Sequence, residues 1–213
     1  MDIKARIRSA KCNLKFNASI IKTAATEAAE TVGGYVKQLK NRMPIKCADG
    51  KTRYYAHISD VFVCSALGSM VACTAPIRGI DRLHLVITDM WFEDLSEETK
   101  QFLFSHELGH IYWNHIRPKQ RKAAKLLHAG VTRTDINAQL RDEVEEYQAD
   151  EYAAKIVGAP MAISALFELK GFLEEIGPEN LTSGQDGIDE LDRRIDNIRR
   201  KASLGLLPIA VAS

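Results

Sequence analysis

The stretch that most constrains this chain runs Phe102-Leu103-Phe104-Ser105-His106-Glu107-Leu108-Gly109-His110-Ile111-Tyr112-Trp113. Positions four apart share one face of an α-helix. His106 and His110 can therefore aim two imidazoles at one point, as a tetrahedral zinc ion requires of two of its ligands. Glu107 stands beside the first histidine. There it can reach the coordination shell without joining it, which is the position of a base that takes a proton from metal-bound water. The same three residues also occur by chance on solvated helices. The flanks argue against that here. They are apolar and aromatic, so the helix is expected to be buried, and buried His and Glu are costly unless paired or bound to a metal. Gly109 adds to the case: glycine is a poor helix former, and in a buried helix it signals a close approach by another backbone or a ligand.

Two histidines leave a catalytic zinc site one protein ligand short, with the fourth position kept for water. The acid-rich run Arg141-Asp142-Glu143-Val144-Glu145-Glu146-Tyr147-Gln148-Ala149-Asp150-Glu151 supplies the candidates. Leu140, Val144, Tyr147, Ala154 and Val157 fit a helix with one buried side. Glu146 and Asp150 share a face, and the small residues Ala149 and Ala153 flank it and permit close helix packing. Glu146 is assigned to the metal. Asp150 is assigned behind it, accepting a hydrogen bond from a ligand histidine's other ring nitrogen. Glu143 is the rival ligand, and several of Asp142, Glu143, Glu145 and Glu151 are expected to be plain solvated residues. His115, five positions after His110, is expected at the helix end or behind the ligands. His57 and His84 are read as strand-surface residues, and His128 has no assigned role.

The pair His106-Glu107-Leu108-Gly109-His110 and Glu146-Tyr147-Gln148-Ala149-Asp150 resembles the two metal motifs of the gluzincin metallopeptidases related to HtpX and the CAAX-prenyl endopeptidases. The resemblance spans roughly Tyr54 to Arg200 and is specific in these motifs. Leu85-Val86-Ile87-Thr88, Leu95 and Glu97-Glu98 are similar to the family's approach to the first motif, and Arg193-Arg194-Ile195 is loosely similar to its C-terminal Arg-Ile helix. The resemblance implies one zinc ion held by His106, His110 and Glu146, with Asp150 supporting the site. It also implies peptide-bond hydrolysis in a protein or peptide substrate, with Glu107 as the base. The family's membrane helices and its His-Pro pair have no counterpart, and Ser65-Ala66 stands where the family has Asn-Ala. The oxyanion-stabilising residue therefore does not carry over. The soluble repressor-cleaving metallopeptidases of the ImmA type, which also join His-Glu-x-x-His to a downstream Glu, are the second resemblance.

With 213 residues, 46% hydrophobic and 27% charged, the chain fits one domain. The expected fold is an α+β zincin-like domain over residues 1–213. It divides into an N-terminal helical extension (1–45), a catalytic core (54–160), and C-terminal helices with a tail (161–213). A formal charge of +1 gives no electrostatic case for nucleic acid or an anionic membrane. The basic run Arg117 to Lys125 lacks interleaved aromatics and reads as a solvated helix face. No export signal is evident, and Val61 to Ile77 is too short and polar for a membrane span. Cys12, Cys47, Cys64 and Cys73 are accordingly expected to be reduced thiols in a cytoplasmic protein.

The elements expected are an amphipathic helix over Asn17–Leu39, a turn at Asp49-Gly50, and strands at Tyr54–Cys64, Ser69–Thr74 and Leu83–Thr88. A helix capped by Ser96 should follow, and then helices at Met161–Glu175 and Ile188–Ala202 separated by a polar loop, Leu181–Gly187. One strand edge, Ser69–Thr74 or Leu83–Thr88, is expected to hold an extended substrate. The alternative is a non-catalytic zincin-fold module used for binding or regulation. Structural zinc sites are closed by four protein ligands, whereas this sequence offers three and a base, which favours catalysis.

Overall fold

A computed structural model of the chain describes residues 43–59, 72–76, 83–88, 92–131, 140, 142–180 and 184–209. The helix expected at Asn17–Leu39 lies outside them, as do the expected strand ends 60–64 and 69–71. The described chain is mostly helical with one small sheet, an α+β arrangement.

The sheet has four strands: β1 (Met43–Lys46), β2 (Thr52–Ser59), β3 (Ala72–Pro76) and β4 (Leu83–Thr88). Their order is β1-β2-β4-β3, with β2 and β4 parallel and the two outer pairings antiparallel. The Asp49-Gly50 turn joins β1 to β2. Gly50 takes a φ of 74°, and Asp49 accepts from Arg53 at 2.7 Å. Strand β1 was not expected, since Pro44 reads as a breaker. An edge strand tolerates it, because a missing N–H there need not interrupt an interior ladder.

Leu83–Thr88 corrects two expectations. It is an interior strand, paired on both sides, so it offers no edge to a substrate. His84 is buried with Val86 and Thr88 on one side of it, whereas a surface position was expected. His57 does lie on the surface, with its Nε2 3.2 Å from Thr88 Oγ1.

Among the described residues the helices that follow include α1 (Glu97–Trp113), α2 (Ile116–His128), α3 (Glu143–Val157), α4 (Ala159–Ile176) and α5 (Gly184–Ser203). Ser96 caps α1 by accepting from the Thr99 amide, with Glu97 and Glu98 at the positive end of the dipole. From α4, Glu168 reinforces the cap by accepting from the Ser96 backbone N–H at 2.8 Å and from the Ser96 and Thr99 hydroxyls. Asp142 caps α3 in the same way through Val144. Residues 184–187, expected in a loop, are the first turn of α5.

The main core packs Phe102 and Leu103 of α1 against Ala153, Ala154 and Val157 of α3, Leu166 of α4, and Ile195 and Ile198 of α5. The apolar tail joins in part: Leu207 is buried and Pro208 accepts from the Ala159 N–H, but Leu204, Leu206 and Ile209 are exposed. A second cluster (Ile45, Cys47, Val86 and Ile111) fastens the sheet to α1, and the Cys47 thiol there is free and buried. Among the described residues no helix is long and apolar enough to cross a membrane.

Helices α1 and α3 meet at Gly109. A Cβ there would stand 2.8 Å from Ala149 Cα, 3.0 Å from Ala149 O and 3.2 Å from Tyr152 Cβ. The obstacle is mostly backbone and cannot rotate away. Gly109→Ala should therefore destabilise the protein by about 1–3 kcal/mol, as overpacking does. It should do so although Ala is the better helix former by about 1 kcal/mol. Thermal unfolding of the metal-free protein reads this directly. A variant as stable as wild type would mean that the helices are not in backbone contact.

Candidate metal centre

The close approach at Gly109 brings two motif-bearing faces together. His106 and His110 lie one turn apart on α1, and Glu146 and Asp150 lie one turn apart on α3. The His106 and His110 Nε2 atoms are 3.1 Å apart. Glu146 Oε2 is 3.2 Å from His106 Nε2, and Oε1 is 3.6 Å from His110 Nε2. These three residues form a group that could hold a metal ion. The spacing fits one: a tetrahedral ion with bonds of about 2.0–2.1 Å sets its ligand atoms about 3.3 Å apart. The expected rival, Glu143, is turned elsewhere, accepting from Arg193 at 2.6 Å and from Tyr147 at 3.1 Å.

Each of the two imidazoles is fixed from behind. The fully buried Asp150 accepts from His106 Nδ1 at 2.8 Å, which leaves the His106 Nε2 lone pair aimed at the cluster. His110 Nδ1 lies 2.9 Å from His115 Nδ1. His115 was expected at the helix end or behind the ligands, and it occupies both places. Asn114 ends α1 in the left-handed conformation (φ 62°), and this turn swings the next residue back toward His110.

The base candidate, Glu107, is buried beside the ligands. Its Oε2 accepts from the Thr74 hydroxyl at 2.7 Å. Thr74 belongs to β3, one of the two outer strands among the described residues, so that side of the sheet and the site meet at this residue. Of the two strands proposed to hold an extended chain, only the one containing Thr74 lies at an edge.

Arg194 of α5 was not among the predicted site residues. It donates two hydrogen bonds to Asp150, from Nε to Oδ2 at 2.7 Å and from Nη2 to Oδ1 at 2.6 Å. Its Nη1 stands 3.8 Å from Glu146. The C-terminal helix thus completes the support of a centre built by α1 and α3.

Burial and close partners shift all four groups from their ordinary values. Burial alone would lower His106, but its hydrogen bonds to Asp150 and Glu146 outweigh that and lift it to about 9. Burial, together with the neighbouring His106, pushes His110 down to about 3. Glu146 is raised by burial, but the His106 contacts win and hold it well below the usual carboxylate range. For Glu107 burial prevails and the pKa is raised.

Among basic residues of α2, Lys119 pairs with Glu145 at 2.5 Å, while Arg121, Lys122 and Lys125 are exposed. His128 is exposed at the far end of that helix. Comparison with protein-family models, curated proteins and solved structures gave no match.

Proposed function

We propose that this protein is a zinc-dependent endopeptidase with a zincin-like fold, of the gluzincin kind that its two motifs resemble. The observation that carries the reading is the convergence of His106, His110 and Glu146 on one point with the Glu107 carboxylate buried beside them. Two imidazoles and one carboxylate are the ligand set of a catalytic zinc site, and three protein ligands leave a coordination position for water or substrate. Nitrogen-rich ligation favours zinc over magnesium or calcium, which prefer all-oxygen sites.

Zinc held by His106, His110 and Glu146 would supply Lewis acidity and make a water beside it more acidic, with a pKa toward ~7. Glu107 takes the water proton and delivers it to the departing amine, the two halves of one general acid–base cycle. Thr74 holds the Glu107 carboxylate in one rotamer through Oε2. Asp150 and Arg194 keep His106 in the tautomer that presents Nε2. An extended peptide added to the β3 edge would lie alongside Glu107, with main-chain hydrogen bonds giving affinity and side pockets giving preference.

The test is metal content paired with hydrolysis. Protein made in zinc-replete medium should carry about one zinc per chain, the occupancy a single three-ligand site predicts. A phenanthroline-type chelator should abolish its cleavage of casein, and added zinc should restore it. A chain that takes up no zinc, or that cleaves equally well after complete removal, defeats the assignment.

A further inference from the structure

We propose that His115 and Gln148 form a relay that sets the tautomer of His110 and so turns its Nε2 lone pair toward the metal centre. Both are positioning residues, and the inference rests on the metal-binding reading above. A ligand histidine ordinarily donates its second N–H to a carboxylate, a backbone carbonyl or water. Here the partner is another imidazole, which can either accept or donate, so something must fix its direction.

Gln148 fixes it. His115 Nε2 lies 2.9 Å from Gln148 Oε1, and a carbonyl oxygen can only accept. The neutral His115 therefore carries its proton on Nε2 and has a lone pair on Nδ1. That lone pair, 2.9 Å from His110 Nδ1, accepts the His110 proton. His110 Nε2 is left bare beside His106 Nε2 and Glu146. The reverse direction, with the Gln148 amide nitrogen donating, would put a proton on His110 Nε2 and close that nitrogen to a metal. Only one orientation of Gln148 is compatible with ligation, the one in which Oε1 faces His115 Nε2.

The placement is built into the fold. His115 is buried and held by the tight turn at Asn114, with its own N–H donating to the His110 carbonyl at 3.1 Å. Gln148 belongs to α3, the helix that also carries Glu146 and Asp150. The same helix thus supports both histidines, His106 through a carboxylate and His110 through an amide and an imidazole.

The relay is tested by zinc affinity and by direct reading of the tautomers, neither of which needs peptidase activity. Affinity is measured on the full chain by competition with a chromophoric chelator. His115→Phe keeps the ring and loses the acceptor, and it should weaken zinc binding about 10–100-fold. Gln148→Met, similar in size but apolar, should also weaken it. Gln148→Glu keeps an acceptor at the same place and should stay close to wild type. This contrast separates the relay from a merely structural role, and far-UV circular dichroism checks that each variant is folded. In the zinc-loaded wild type, long-range proton–nitrogen correlation spectra should show the proton of His110 on Nδ1 and that of His115 on Nε2. Equal zinc affinity in wild type and His115→Phe, or a His115 proton on Nδ1, overturns the relay and leaves the metal site standing. A wild-type chain that binds no zinc overturns both.

Discussion

Glu107→Gln is expected to keep its zinc and lose hydrolysis. The amide has the shape of the carboxylate, and its oxygen can still accept from the Thr74 hydroxyl that holds Oε2. It cannot take a proton from water. A positioned general base contributes about 10²–10⁴-fold, so kcat for casein or a quenched-fluorescence peptide library should fall by at least that range. The ligand set does not include Glu107, so zinc affinity should move only a few-fold. Stability should hold or rise, since burial already penalises the charged form of this group. The combination discriminates between readings. Cleavage at the wild-type rate would place the base elsewhere. Zinc lost together with activity would give Glu107 a structural role. A zinc-loaded wild type that cleaves nothing would favour a binding or regulatory module on the same fold.

The parts of this centre that the sequence displayed are those whose partners are local. The start of α1 could be read because Ser96, Thr99 and the two acids act within one turn. The two motif pairs could be read because i and i+4 share a helix face wherever the helix goes, and Gly109 announced a close neighbour without naming it. The missed features depend on distant chain. Strand β1 is four residues long and contains a proline, so only its pairing with β2 reveals it. Nothing within Leu83–Thr88 says that both of its edges are occupied, and His84 was misplaced for the same reason.

Arg194 lies between these cases. It sits three residues after Leu191 and four before Ile198, inside the apolar stripe of α5. A charge at such a position demands a buried partner. The demand was visible in the sequence, whereas the partner, Asp150, is 44 residues away. His115 was read as a helix-end residue or one behind the ligands, which is where it lies, but the sequence hid how it gets there. Five residues past His110 it would face away on a continuous helix, and only the left-handed residue at Asn114 returns it.

Arg194→Met should be the most destabilising single change at the centre that leaves His106, His110 and Glu146 in place. Arg194 donates two hydrogen bonds to Asp150, which has no solvent exposure. Removing one partner of a buried pair leaves the other charge uncompensated and costs about 3–5 kcal/mol. For a chain of this size, each kcal/mol lowers Tm by about 2–4 °C, so the metal-free variant should melt about 6–20 °C below wild type. Adding Asp150→Asn should recover part of that loss, because the amide leaves no charge to strand, and the non-additivity measures the coupling. The pH dependence carries its own sign. Burial raises the Asp150 pKa, but Arg194 and His106 outweigh it and hold it below the ordinary value. A depressed carboxylate contributes stability above its unfolded pKa, about 3.9, and loses it as pH falls through the folded value. The gap between wild type and Arg194→Met should therefore be full near neutrality and narrow as the pH drops below about 4. A gap that stays constant down to acid pH would mean that the two side chains pack together without the ion pair carrying the energy.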